Sequence, residues 1–98
     1  MSPAGEARAA IRIGADHPSL AGHFPGHPVV PGVVLLDEVA RALERTSGAT
    51  LRALPSVKFL APLRPGEAAE LVLTVAAGRV RFRIEREGAP IASGEVAT

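Results

Sequence analysis

The chain has no cysteine, no tyrosine and no tryptophan, and its only aromatic residues are Phe24, Phe59 and Phe82. Without cysteine there is no disulfide and no thiolate-bound metal, and nothing argues for an oxidising compartment. Three phenylalanines are too few for the stacking platforms that hold nucleic-acid bases. Charge of either sign is not in excess: 11 Lys and Arg face 10 Asp and Glu, a formal net charge of +1. Such a chain has no global field for a polyanion. No stretch reaches the ~20 apolar residues of a membrane span. The opening Met-Ser-Pro-Ala-Gly-Glu-Ala-Arg lacks the apolar core of a signal peptide. A cytoplasmic protein with neither a nucleic-acid nor a membrane partner is therefore expected.

The 98 residues suffice for one domain, 1–98, with little to spare for tails or linkers. A domain of this size buries roughly 60–65% of its unfolded surface, so a monomer is marginal. No cross-link compensates, and self-association is the expected source of further buried area.

What the chain does have is concentrated in residues 22 to 38. Three prolines (Pro25, Pro28, Pro31) and two glycines (Gly26, Gly32) follow His23 closely. Proline fixes φ and bars helix from the residue before it, which places His23 on a rigid, irregular loop. After Pro31-Gly32 the spacing predicts a helix over 33–45, stopped by Thr46-Ser47-Gly48 with Gly48 as a left-handed cap. Val33, Leu35, Leu36, Val39, Ala40, Ala42 and Leu43 are assigned to its apolar face. Asp37, Glu38, Arg41, Glu44 and Arg45 fall on the polar one.

Strands account for the rest. Residues 7–13 alternate loosely, and residues 50–60 read as a strand interrupted by Pro55. Residues 69–77 put Leu71, Leu73 and Val75 in phase, before an Ala77-Gly78 turn. Residues 79–87 alternate strictly, with Arg79, Arg81, Arg83 and Glu85 opposite Val80, Phe82 and Ile84. A Glu87-Gly88-Ala89-Pro90 turn leads to a last strand over 91–97. One long helix followed by an antiparallel meander is an α+β arrangement, with the sheet curled round the helix.

His23 and Asp37 are the candidate chemistry. An imidazole near its ordinary pKa can take a proton from carbon. A carboxyl held in an apolar wall is raised and can donate one. The amides of Gly32 and Val33 are unpaired donors at the positive end of a helix dipole, and Gly32 has no side chain to obstruct a carbonyl that approaches them. Blander readings stand beside these. Asp37 precedes Arg41 by four residues and can form a surface ion pair, and a loop histidine commonly bonds to backbone. His17, His23 and His27 do not make a metal site, because Pro25 and Pro28 exclude the helix that four-residue spacing needs. His17 and His27 are read as exposed loop residues. Arg79, Arg81 and Arg83 are read as a solvated strand face; with Lys58 and Arg64 they could otherwise dock an acidic partner.

Gly22-His23-Phe24-Pro25-Gly26-His27-Pro28-Val29-Val30-Pro31-Gly32-Val33 closely resembles the active-site signature of bacterial 3-hydroxyacyl-acyl-carrier-protein dehydratases of the FabZ/FabA type. Val57-Lys58-Phe59-Leu60-Ala61-Pro62-Leu63-Arg64-Pro65-Gly66-Glu67 is similar to that family's strand after the central helix. The resemblance covers roughly residues 10–97. It implies the hotdog fold, a long central helix wrapped by a curved antiparallel sheet. It also implies a homodimer, or a multiple of dimers, with each active site at the dimer interface. His23 would be the catalytic histidine and Asp37 the catalytic acid, supplied by the opposite subunit. Gly32, Val33, Phe24 and Leu36 would bind substrate, with the Gly32 amide on the thioester carbonyl. The implied substrate is a (3R)-3-hydroxyacyl thioester on the phosphopantetheine of an acyl carrier protein, dehydrated without metal or dissociable cofactor. Aspartate where many members carry glutamate matches the branch with dehydratase-isomerases. The absence of tyrosine removes any tyrosine gate, and the short chain looks most like the compact dehydratases of specialised pathways such as aryl polyene assembly. A hotdog thioesterase and a non-catalytic subunit of a heterodimer are the alternatives.

Overall fold

The computed structural model describes residues 5–14, 29–76 and 79–98. In chain order these form β1 (Gly5–Arg12), α1 (Gly32–Ser47), β2 (Ala53–Phe59), β3 (Ala68–Ala76), β4 (Arg79–Arg86) and β5 (Ala89–Ala97). The strands make one sheet in the order β1-β3-β4-β5-β2, with every neighbouring pair antiparallel. The expected α+β architecture is present. The Ala77-Gly78 turn lies outside the described residues.

The helix begins at Gly32, one residue earlier than the spacing predicts. Pro31 is its N-cap in extended conformation (φ −60°, ψ 145°), and the Pro31 carbonyl accepts the Val34 amide at 3.0 Å. At the other end Gly48 is left-handed (φ 73°) and its amide returns to the Glu44 carbonyl at 2.9 Å, as a glycine C-cap does.

The buried side of α1 is Val34, Leu35, Val39, Ala42 and Leu43. It packs with Ile11, Leu71, Leu73, Phe82, Ile84 and Ile91 from four strands of the sheet. This corrects one assignment. Val33, placed above on the apolar face, is 71% exposed, and Val34 is buried in its stead. At 100° per residue the centre of the buried stripe lies well over a right angle from Val33 and Asp37, which share the outward side. Alternation on β4 holds: Phe82 and Ile84 are buried, whereas Arg79 and Arg81 are exposed.

Pro55 does not interrupt β2. The strand runs through it, with a register shift between Ala53 and Ser56 against β5. Because β2 is the edge of the sheet, the donor that proline lacks can face outward. Beyond the shift β5 comes so close that Gly94 has no room for a side chain. A Cβ there would lie 2.2 Å from the Ser56 carbonyl oxygen and 2.7 Å from the Phe82 ring. Gly94→Ala is expected to force β2 away from β5 and cost about 1–3 kcal/mol. Denaturant unfolding measures the loss, and faster amide exchange confined to β2 locates it.

Candidate active site at the helix N-terminus

The start of α1, the end of β2 and the segment after it enclose an apolar groove of about 420 Å³, whose walls include Val30, Gly32, Leu35, Phe59, Leu60 and Pro62. Gly32 opens directly on it. Among the described residues no partner accepts from the Gly32 or Val33 amide, as expected for the first turn of a helix whose cap side chain offers no bond. The groove therefore has greasy walls and backbone donors at one end, an arrangement suited to an acyl chain that ends in a carbonyl.

The wall formed by residues 60–66 is tied down at several points. The Leu60 and Ala61 amides donate to the Ile91 carbonyl at 2.7 and 3.2 Å, and the Val30 amide donates to the Leu63 carbonyl at 2.7 Å. The Gly66 amide donates to the Ile13 carbonyl at 2.7 Å. Glu67 and Arg86 complete the tie. Glu67 Oε1 accepts from the Arg64 amide at 2.7 Å and from Arg86 Nη1 at 3.0 Å, while Arg86 also donates to the Pro62 carbonyl at 2.8 Å. The Arg64 amide, aided by the Arg86 charge and opposed by desolvation, holds the Glu67 carboxyl below its usual value.

Of the residues assigned to catalysis and binding, His23 and Phe24 lie outside the described residues, as do His17 and His27. Asp37 lies on the outward side of α1, exposed, with Oδ2 at 3.1 Å from Nε of Arg41. The ion-pair reading of Asp37 is realised, and among the described residues no apolar wall encloses it. A pair this open contributes a few tenths of a kcal/mol, about the value of any exposed i,i+4 pair. Leu36 is half-buried at the side of the helix. The residue that the spacing did not single out is Phe59, whose ring tip abuts Gly32. In the sequence it stands in the second motif, and nothing linear connects it to position 32.

The arginine face is elsewhere. A hollow of about 430 Å³ on the opposite side of the sheet is lined by Lys58, Arg81, Arg83 and Glu95 among others. Arg83 pairs with Glu85 at 2.6 Å, and Arg81 stands 3.9 Å from Glu95. It is a solvated face on which Arg81 and Arg83 each have an acid beside them. Among the described residues no group of histidines and acids could hold a metal, and no helix is long and apolar enough to cross a membrane.

A family model described as "ApeI-like: ApeI dehydratase" matches residues 2–95. The chain belongs to this dehydratase family. The 3-hydroxyacyl-[acyl-carrier-protein] dehydratase FabZ of Haemophilus influenzae (strain 86-028NP) is 32% identical over 100 residues, covering 92% of this chain and 67% of its own. That of Thermomicrobium roseum is 33% identical over 81 residues, covering 74% and 53%. The chain spans 43 to 67% of the length of these and other curated relatives it matches. Among solved structures, "The Dehydratase Heterocomplex ApeI:P from Xenorhabdus doucetiae" is similar at a TM-score of 0.80 and 25% identity, covering 93% of this chain and 84% of that one. An (R)-hydratase from A. caviae has the same fold at a TM-score of 0.80 and 22% identity, covering 98% and 94%. The hotdog fold expected from the motif is thus the fold of the family's solved relatives.

Acidity should loosen the groove wall. A carboxyl held below its unfolded value stabilises the fold at pH above that unfolded value. The contribution disappears as pH falls through the depressed folded one. Wild-type protein is expected to be more stable than Glu67→Gln near neutrality, with the gap closing below the ordinary carboxylate range. Denaturation midpoints of the two proteins across pH check it; a gap that widens in acid contradicts the tie.

Proposed function

We propose that the chain is a subunit of a dehydratase acting on (3R)-3-hydroxyacyl thioesters carried by an acyl carrier protein, with the trans-2-enoyl thioester as product. The observation that carries this reading is the position of Gly32. The glycine that nearly closes the His23 motif is the first residue of α1, and it faces an apolar groove with its amide free among the described residues. The names of the FabZ relatives support the carrier-protein thioester as substrate class.

In this reading the thioester oxygen lies at the Gly32 and Val33 amides, which stabilise negative charge as it develops there. His23 removes the proton on the carbon beside the thioester. The electron pair of that C–H bond becomes the new carbon–carbon double bond as the C–O bond breaks. Asp37 of a second protomer gives its proton to the departing oxygen, which leaves as water. Acid, base and oxyanion donors suffice for this elimination, so no dissociable cofactor takes part.

A second copy is supported from three sides. Asp37 points away from the core, Val33, Phe59 and Leu60 expose apolar surface, and β2 is a sheet edge among the described residues. Contact with a partner would give Asp37 the apolar surroundings that the described residues do not. A partner that is a different hotdog chain is the second reading, favoured by the heterocomplex of the similar Xenorhabdus doucetiae protein.

His23→Ala and Asp37→Asn are each expected to lower turnover about 100-fold or more, since each removes a proton-transfer group. Mass spectrometry of a 3-hydroxyacyl carrier protein should show loss of one water; loss of the whole acyl group would instead mark a thioesterase. Mixing the two variants should restore roughly a quarter of wild-type activity through hybrid dimers with one intact site. No restoration would refute a shared site. Activity only on addition of a second hotdog chain would establish the heterodimer.

A further inference from the structure

The space that a side chain at position 32 would take is already filled. A Cβ built on Gly32 would lie 2.6 Å from Cζ of Phe59 and 3.0 and 3.1 Å from its two Cε atoms. The ring thus meets the start of α1 with its para end, while Phe59 lines the groove and 53% of the residue stays exposed. Its backbone is not free to yield. Phe59 is the last residue of β2, in register with Ala92 of β5, and the next two amides are bonded to the Ile91 carbonyl. A side chain with only two rotatable bonds, on a pinned backbone and braced against helix backbone, is a rigid wall.

We propose that Phe59 determines which acyl groups the groove accepts, and that glycine is required at position 32 by this ring as well as by any substrate. The first part rests on the acyl-thioester reading above. A chain whose carbonyl lies at the Gly32 amide must leave it past the ring, so branches or aryl groups near the carbonyl meet Phe59 while a linear chain slides by. A para hydroxyl would have to enter the space of the Gly32 backbone, so the site takes phenylalanine and not tyrosine. Apolar walls discriminate by about 10- to 200-fold per methylene-sized change.

Two measurements test this. First, unreactive acyl-pantetheine amides with linear, branched and aryl acyl groups are titrated by calorimetry into wild type, Phe59→Leu and Phe59→Ala. The ratio of bulky to linear affinity is expected to rise about ten-fold or more in Phe59→Ala, with Phe59→Leu between. Equal weakening of every amide, or no change, overturns Phe59 as the selector. Binding with the expected ratio shift but no dehydration of the matching thioesters sinks the proposed reaction and leaves the selector standing. No binding by wild type overturns the acyl reading and the selector together.

Second, Gly32→Ala is introduced into wild type and into Phe59→Ala, and the melting temperature is followed. The substitution should lower it in wild type and leave it unchanged or raised in Phe59→Ala, where alanine outranks glycine in a helix and the three nearest atoms are gone. An equal loss in both backgrounds refutes the ring's claim on the glycine.

Discussion

One side of a single helix buried on one side of a single sheet is the constraint from which the other features follow. Val34, Leu35, Val39, Ala42 and Leu43 seat α1 on the strands. Because a helix turns 100° per residue, that seating sends Val33 and Asp37 outward. In a larger domain another layer would cover them. Among the described residues there are five strands and one helix, and none of these elements covers the outward side of α1.

The same seating fixes the site's other half. Once α1 lies on the sheet, its first residue falls beside the end of β2, and the Phe59 ring comes to rest on Gly32. The segment that follows β2 is then held by β5, by Val30 and by the Glu67–Arg86 tie, so a wall of apolar side chains stands next to helix amides that have no partner among the described residues. A helix N-terminus is electropositive at small cost to the fold, and an apolar surround strengthens its pull on a developing charge. Fold and chemistry draw on the same few contacts here.

Asp37 illustrates how position in an assembly decides what a residue does. Alone on the helix surface it pairs with Arg41 and is an unremarkable carboxylate. The proposed role needs the same carboxyl enclosed by a neighbour, with the His23 loop of that neighbour opposite. Val33, Phe59 and Leu60 leave apolar surface exposed, and β2 is an edge of the sheet among the described residues. Membership of the ApeI-like family, with a solved relative described as a heterocomplex, makes the identity of that neighbour a matter for direct measurement.

Much of this was written in one dimension. Periodicity gave the strand ends to within about two residues, except the start of β2, which lies three residues later than expected, because alternation on a half-buried strand and the 100° stripe of a helix are local consequences of burial. The Pro-rich motif named the family and pointed to Gly32, since proline and glycine restrict backbone wherever they stand. The chain order alone was not enough to place Val33 correctly, because a wide apolar run leaves the centre of the buried stripe open until the helix meets its sheet. Nor could it show that Pro55 sits on an edge strand that continues through a register shift, or that Phe59 fills the place of a side chain at position 32. Those are facts of contact between segments distant in sequence, and only tertiary packing brings such segments together.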